Sequence, residues 1–168
     1  MKRYRAVLAA FALLLFPVSG AASQTETLVE IERTEVAQTL VGHVVLLRVA
    51  DKAIPIFVDP VVAQSIHGAL SGEKFPRPLT HDLMRVILEE YGGRVSRVVI
   101  SLKGATFYAD LSVELQGTTR TFDSRSSDAI ALAVHFRAPL LVSADLLEKA
   151  GKPIESPAAP PAPGETRL

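Results

Sequence analysis

The chain has 168 residues, with 18 basic side chains, 18 acidic side chains and no cysteine. This length allows one domain, and 48% hydrophobic residues exclude a long disordered chain. The lack of cysteine excludes thiol chemistry, disulfides and cysteine-bearing metal sites, so any chemistry must come from oxygen and imidazole groups.

The N-terminal segment, residues 1–22, has the three parts of a secretory signal peptide. Lys2, Arg3 and Arg5 precede an uncharged apolar run at 6–16, and small residues follow. The run has 11 residues, well short of the ~20 that span a bilayer, which favours cleavage over an uncleaved anchor. Removal of the whole segment 1–22 leaves a protein with 15 basic and 18 acidic side chains, a net charge of −3. We therefore expect a periplasmic or secreted protein.

Residues 27–151 are expected to form a single compact domain. In chain order the pattern first predicts strands at 28–32, 43–48 and 53–58, then helices from Pro60 to Gly72 and from Thr80 to Gly92. Three further strands are predicted at 95–102, 106–115 and 118–123. They are followed by a helix from Asp128 to about Arg137, a strand at 139–142, and a last helix that Ser143 caps and that ends at Gly151. The remainder, residues 152–168, holds five prolines and is expected to be a disordered tail.

Two patterns in this domain indicate its class. Lys103-Gly104 and Gln116-Gly117 are short enough to be hairpin turns, so the strands from 95 to 123 are expected to form an antiparallel meander. The helix that starts at Asp128 is apolar nearly all round, which predicts a position deep between layers. We predict an α/β protein of the α+β type, in which helices pack on a mixed β-sheet.

A first polar cluster lies at the start of the second predicted helix. Arg77 offers a planar fork suited to phosphate or carboxylate. Thr80 is placed to cap the helix, and His81 and Asp82 fall in its first turn, where an acid favours the helix dipole.

A second polar cluster, residues 123–128, links a strand to the buried helix. It supplies the carboxylates of Asp123 and Asp128, the guanidinium of Arg125, three serine hydroxyls and backbone N–H groups at a helix N-terminus. This combination is suited to an anion.

Both clusters also have a structural interpretation. Their acids and hydroxyls are ordinary capping residues, and Arg77 or Arg125 paired with Asp82 or Asp128 would form a clasp between the two helix starts. His135, at the end of the apolar helix, is interpreted as a core histidine with a hydrogen-bond partner.

The two clusters, with three shorter motifs, resemble the bifunctional nuclease family, a bacterial and plant DNase/RNase domain. The motifs are Ile54-Pro55-Ile56, Arg77 to Leu83, Gly104 to Ala109, Arg125 to Ala131 and Ala138-Pro139. They span nearly all of the predicted domain. The resemblance implies a compact α/β domain that often self-associates and, in some members, cleaves both DNA and RNA.

The resemblance and the residue chemistry together give a hypothesis for phosphodiester hydrolysis. Asp82 and Asp128, with Asp123 in reserve, would bind one Mg²⁺ or Mn²⁺ ion. His81 would be the general acid or base, and Asp82 and Asp128 would belong to the same catalytic set. The substrate phosphate would be held by Arg77, Arg125 and Ser127.

The sequence departs from the family pattern at three positions. Asp59 stands where the family usually has glycine, Val62 where it has an acid, and Ser126 where it has proline. A net charge of −3 also gives no long-range attraction for a polyanion. The competing hypothesis is a non-catalytic, self-associating binding module of the cell envelope, in which the clusters are caps and interface elements.

Overall fold

A computed structural model describes residues 26–154, which form nine strands and four helices. The elements are β1 (Leu28–Glu30), β2 (Arg33–Thr39), β3 (Gly42–Val49), β4 (Lys52–Val58), α1 (Pro60–Ser71), α2 (Thr80–Glu90), β5 (Gly93–Lys103), β6 (Thr106–Leu115), β7 (Thr118–Arg125), α3 (Ser126–Phe136), β8 (Leu140–Ser143), α4 (Ala144–Ala150) and β9 (Lys152–Pro153). The predicted signal peptide and most of the predicted tail lie outside the described residues. Within 26–154, no helix has the length and apolar character needed to cross a membrane.

The strands divide between two sheets. The larger sheet has the order β1-β8-β5-β6-β7 and is mixed, because β5 and β8 run parallel while the other pairs are antiparallel. The smaller sheet, β2-β3-β4-β9, is antiparallel throughout. The predicted α+β class and the β5-β6-β7 meander are thus confirmed. The sequence predicts a single mixed sheet, whereas the structure has two sheets.

The edge strands of the smaller sheet, β2 and β9, have no clear strand pattern in the sequence. β2 carries charged and polar residues with little apolar alternation, and every one of its residues is at least partly exposed. It was not predicted as a strand for that reason. β9 is only Lys152–Pro153, which pairs with Lys52 and Ala53 of β4, so the folded region extends slightly beyond the predicted boundary at 151.

The core is organised around α3. Five consecutive residues of this helix, Ala129 to Ala133, are buried, and α3 contacts β5, β6 and β7 of the larger sheet, β4 of the smaller sheet, and both α1 and α2. The prediction that this helix lies between layers is confirmed. Because the helix is apolar nearly all round, it can pack against both sheets at once.

The helix starts place polar groups close to this core. α1 begins at Pro60, directly after Asp59, and ends where Gly72 takes a left-handed conformation with φ of 76°. α2 begins at Thr80, but its N-cap position is Leu79, so the predicted capping role of Thr80 is wrong. The cap is made instead by Asp82, whose Oδ2 accepts the Leu79 N–H at 3.0 Å.

Candidate functional site

Three helices bring five polar side chains into one chain of contacts, which we call the relay: Asp82, His135, Ser65, His81 and Asp128. Ser65 comes from the middle of α1, His81 and Asp82 from the first turn of α2, and Asp128 and His135 from α3. The relay therefore forms only when the three helices pack together.

The centre of the relay is the hydroxyl of Ser65. Its Oγ lies 3.0 Å from Nε2 of His135 and 3.1 Å from Nδ1 of His81, both within hydrogen-bond range. The outer contacts are longer: His135 Nδ1 is 3.6 Å from Asp82 Oδ1, and His81 Nε2 is 3.4 Å from Asp128 Oδ1. Ser65 and the two histidines are therefore joined by hydrogen bonds, and the carboxylates of Asp82 and Asp128 lie at the two ends of the relay at longer distances.

Burial separates the inner from the outer members. The side chains of His81 and His135 are 7% and 5% exposed, and Ser65 is 2% exposed, whereas those of Asp82 and Asp128 are 30% and 28% exposed. Buried polar groups need partners because an unpaired one costs about 1–3 kcal/mol. Here each buried group finds its partner in the relay.

Arg125 holds the carboxylate of Asp128 from the solvent side. Its Nε and Nη2 donate to the two oxygens of Asp128 at 2.7 and 3.0 Å, a bidentate geometry. These hydrogen bonds raise the pKa of Arg125 above its ordinary value, so the guanidinium stays charged. Its Nη1 lies 3.9 Å from Asp59, and 67% of the Arg125 side chain is exposed. The ion pair of Arg125 with Asp128 thus lies within the start of α3 and does not join two helix starts, as the clasp predicted from the sequence would. The links between helices are made instead by His81 and His135, which both contact Ser65 of α1.

Burial of the imidazole lowers the pKa of His135 below its ordinary value. Asp82 opposes this effect, while the nearby charges of His81 and Arg85 add to it. The native state therefore favours neutral His135 at neutral pH.

This lowered pKa predicts how stability depends on pH. Between the lowered native pKa of His135 and the ordinary histidine pKa of 6.5, the unfolded chain binds a proton at this residue and the folded chain does not. The contribution of His135 to stability is therefore complete above pH 6.5 and is lost as the pH falls toward the lowered native pKa. We expect urea unfolding to show a decline of at most about 1.4 kcal/mol per pH unit from this group, and His135→Gln to flatten that part of the profile. An unchanged slope in His135→Gln would contradict the assignment.

Beside the relay lies a groove of about 1310 Å³ between α2, the start of α1 and the meander. Its walls are mostly apolar and include Met84, Ile87, Leu111, Val113, Leu115 and Phe122. Where β7 enters α3, the lining becomes polar, with Asp123, Ser124, Arg125 and Asp128, and it also takes in His81 and Ser65. The groove therefore joins an apolar surface to the most polar part of the site.

The structure brings together some of the predicted site residues. His81, Asp82 and Asp128 are all in the relay, and Arg125 is bound to Asp128. Arg77 is exposed in the loop before α2, Ser127 is half-buried in the first turn of α3, and neither lines the groove. Asp123 lines the groove but has no contact with the relay among those found in residues 26–154.

The carboxylates of the predicted metal set, Asp82 and Asp128 with Asp123 in reserve, are placed in different surroundings, and the first two already have partners. Within the described part of the chain, no group of three or more histidine, aspartate or glutamate side chains is arranged to hold a metal ion. The physical reason lies in their partners: Arg125 takes both oxygens of Asp128, while Asp82 is bound to the Leu79 N–H and lies beside His135. An ion held by Asp82 and Asp128, with Asp123 in reserve, would have to displace these partners.

Two members of the relay were missed from the sequence. The sequence does not single out Ser65, and it indicates a core histidine at His135, which the burial of that side chain confirms without revealing its contacts with Ser65 and Asp82. One signal was available: Asp128 and His135 are seven residues apart and therefore share one face of α3. A second was that Ser65, buried beside Ile66, is a polar residue on the apolar face of α1.

The family model of the bifunctional nuclease domain matches residues 44–155 of the amino-acid sequence. The chain belongs to the bifunctional nuclease domain family. The match takes in every member of the relay and the groove, so the site lies within the family domain.

Two curated relatives of this bifunctional nuclease domain protein come from strains of Mycobacterium tuberculosis. Each is 35% identical over 111 residues, which cover 64% of this chain and 66% of the relative. The chain thus matches just under two thirds of their length. Both are named as uncharacterized proteins, so they assign no substrate or partner.

Proposed function

We propose that this protein hydrolyses phosphodiester bonds of DNA and RNA in the groove beside the relay. The observation that carries the proposal is the pair of His81 and Asp128 beside a charged, exposed Arg125 on the groove wall. Membership of the bifunctional nuclease domain family supports the reaction class.

The geometry suggests how the residues would share the work. The side chain of Arg125 is 67% exposed, and its Nη1, the nitrogen that does not donate to Asp128, would hold a phosphate oxygen. Nε2 of His81 has only a 3.4 Å contact to Asp128, longer than an ordinary hydrogen bond, so it is the ring nitrogen that can exchange a proton with substrate or water. His81 is thus the general acid or base, and Asp128 orients it and stabilises its charged form.

The charges of the groove require binding to be local. Arg120 and Arg125 face the carboxylates of Asp59, Asp123 and Asp128 along the same lining, so there is no surplus of positive charge. We therefore expect one or two phosphate contacts and a shallow salt dependence. The exposed ring of Phe122 and the apolar wall would bind the bases by stacking and burial.

No step of this proposal passes through a metal ion, because Arg125 binds both oxygens of Asp128 and Asp82 accepts the Leu79 N–H. Whether Mg²⁺ or Mn²⁺ is needed is decided by the assay below, which includes both ions and a chelator.

Asp128→Asn tests the proposal with Asp110→Asn as its matched control. Asp110 is an exposed acid of β6 that does not line the groove. Loss of the negative charge beside His81 is expected to lower cleavage about 10²-fold or more, while Asp110→Asn leaves it unchanged. The measurement is cleavage of end-labelled single-stranded DNA and RNA by the purified chain, with Mg²⁺, with Mn²⁺ and with chelator.

Equal residual cleavage by wild type, Asp128→Asn and Asp110→Asn would show a contaminating nuclease and overturn the proposal. Light scattering on the same samples addresses the second candidate function. A wild-type protein that forms oligomers and cleaves neither substrate would favour the non-catalytic binding module.

That second candidate rests on one surface of α2. Leu83, Val86 and Ile87 of α2, together with Tyr91 at its C-cap, are between 47% and 70% exposed, which is unusual for four large apolar side chains so close together. A second copy of the chain would cover them, and the predicted homo-oligomer remains a proposal on this basis. Export to the periplasm or outside the cell is likewise a proposal, supported by the N-terminal sequence pattern.

A further inference from the structure

We propose that Asp59 selects the charge of the ligand at Arg125, so that the singly charged phosphate of a phosphodiester binds in preference to the doubly charged phosphate of a monoester. The inference rests on the proposed function, in which Arg125 holds the substrate phosphate. It adds a specificity-determining residue that acts on the bound phosphate through its charge and takes no part in the chemical step.

The backbone fixes the position of Asp59 at the groove. Asp59 lies between Val58, the last residue of β4, and Pro60, the first residue of α1, and it is the N-cap residue of that helix. Its carbonyl oxygen accepts the N–H of Ala63 at 2.9 Å. The strand end, the proline ring and this hydrogen bond leave the backbone of Asp59 little freedom. The carboxylate is therefore carried on a rigid corner of the fold, and it lines the groove.

The side chain of Asp59 is turned to Arg125 and is not used for capping. An aspartate at an N-cap usually accepts an N–H of the first helical turn, but among the described residues of α1 the carboxylate of Asp59 has no such donor. The side chain is 74% exposed, and its Oδ2 lies 3.9 Å from Nη1 of Arg125. This distance is too long for a hydrogen bond, so the interaction is one of charge alone. Removal of the charge would cost α1 no capping hydrogen bond.

Arg125 lies between two carboxylates. Its Nε and Nη2 donate to Asp128 at 2.7 and 3.0 Å, whereas Nη1 faces Asp59. The pKa of Arg125 is raised chiefly by its hydrogen bonds with Asp128, and the charge of Asp59 adds to the effect. One positive and two negative groups leave a net charge of −1 around the nitrogen that would hold phosphate. An anion that binds at Nη1 must therefore approach the carboxylate of Asp59, which repels it in proportion to its own charge.

The two kinds of phosphate differ in that charge. A phosphate within a phosphodiester has one negative charge, whereas a phosphomonoester has a second pKa of about 6 and so has nearly two at about pH 7.5. Because the Coulomb energy is linear in each charge, Asp59 opposes the monoester about twice as strongly, in free energy, as the diester. The site should therefore favour an internal linkage over a terminal phosphate.

The same charge would help the product to leave. Hydrolysis adds water across a P–O bond, so that one product ends in a hydroxyl and the other in a phosphomonoester, which then gives its second proton to solvent. The product phosphate thus has one negative charge more than the substrate phosphate. Repulsion by Asp59 increases at this step, while the hydrogen bonds between Arg125 and Asp128 stay in place.

Asp59→Asn tests the inference because it removes the charge and keeps the shape of the side chain. Asparagine and aspartate are equally favourable at an N-cap, so α1 should begin at the same residue. The probes are thymidine 3′-monophosphate and its methyl ester, which have the same nucleoside and differ by one charge at about pH 7.5. Their dissociation constants for the full-length protein are measured at low salt from saturable NMR shifts of the Nε–H of Arg125.

A unit charge about 4–6 Å away in water changes an affinity about three- to fivefold. We therefore expect Asp59→Asn to bind the methyl ester about three- to fivefold more tightly and the monophosphate about ten- to 25-fold more tightly, since its charge is twice as large. In about 1 M salt, where the Debye length is about 3 Å, most of the gain should be lost. Asp110→Asn, which changes an exposed acid that does not line the groove, should leave both constants unchanged.

Three results would overturn the inference: unchanged constants in Asp59→Asn, equal tightening of the two ligands, or weaker binding of either one. Weaker binding would mean that Asp59 helps to hold Arg125 in place. A gain that persists in about 1 M salt would also count against it, because the effect of an exposed charge is screened.

The two proposals can fail separately. If Asp59→Asn binds the ligands as expected but the wild-type protein cleaves no nucleic acid, the charge selection stands and the nuclease proposal fails. If cleavage depends on Asp128 but Asp59→Asn leaves both dissociation constants unchanged, the nuclease proposal stands and the charge selection is overturned. If neither ligand shifts the Arg125 signal in any of the three proteins, Arg125 does not hold the phosphate, and the inference fails together with that part of the proposed function.

Discussion

Replacing His81 by glutamine is expected to lower the rate of DNA and RNA cleavage by about 10²–10⁴-fold, the usual contribution of a general acid or base. Glutamine can still form a hydrogen bond with Ser65, which lies 3.1 Å from the ring of His81, but it has no nitrogen that exchanges protons near neutral pH. The measurement is single-turnover cleavage of an end-labelled oligonucleotide, which reports the chemical step.

His67→Gln is the matched control for this prediction. His67 lies on the exposed side of α1 and has no contact with the relay among those found in residues 26–154. Its substitution should leave the rate unchanged. Oligonucleotide binding should be similar in wild type and both variants, because Arg125 and the apolar wall are intact. A His81→Gln protein that cleaves at the wild-type rate would remove His81 from the mechanism.

Ile130→Ala is expected to lower the free energy of unfolding by about 2–5 kcal/mol, the range for large-to-small changes in a packed core. Ile130 is fully buried in α3, and α3 contacts both sheets as well as α1 and α2. The lost side chain should therefore weaken the whole domain, so that urea unfolding remains a single transition at lower urea concentration. Hydrogen exchange should show both sheets losing protection together.

Ile87→Ala is the matched control for stability, since Ile87 is 47% exposed on α2. Its cost should be about 1 kcal/mol or less. Separate transitions for the two sheets in Ile130→Ala would contradict the view that α3 joins them into one cooperative unit.

The sequence predicted the elements whose pattern is strong and local. The meander was recognised from the alternation of β6 and from its two glycine turns, and α3 from its unbroken apolar run. Ser143 was predicted to cap the last helix, and its Oγ accepts the Leu146 N–H at 3.1 Å. Each of these features is decided by residues close together in the chain.

The features that were missed depend on distant partners. β2 has little apolar periodicity of its own and is a strand because β3 pairs with it along its whole length. The relay could not be predicted because Ser65 and His135 are 70 residues apart, and the local signals at Ser65 and His135 do not show that the two side chains meet. For the same reason, the carboxylates of Asp82 and Asp128 were expected to share an ion, whereas a serine and two histidines lie between them in the relay.

The most direct measurement of the central claim is chemical-shift mapping with a single-stranded oligonucleotide whose phosphorothioate linkages resist cleavage. The groove beside the relay predicts saturable shifts at residues 80–88, at the groove residues of β7 and at Asp128, with little change at Glu114 and Thr119 on the other face of the meander. Shifts confined to that other face, or no saturable shift at all, would contradict the assignment of the groove as the site of a nuclease.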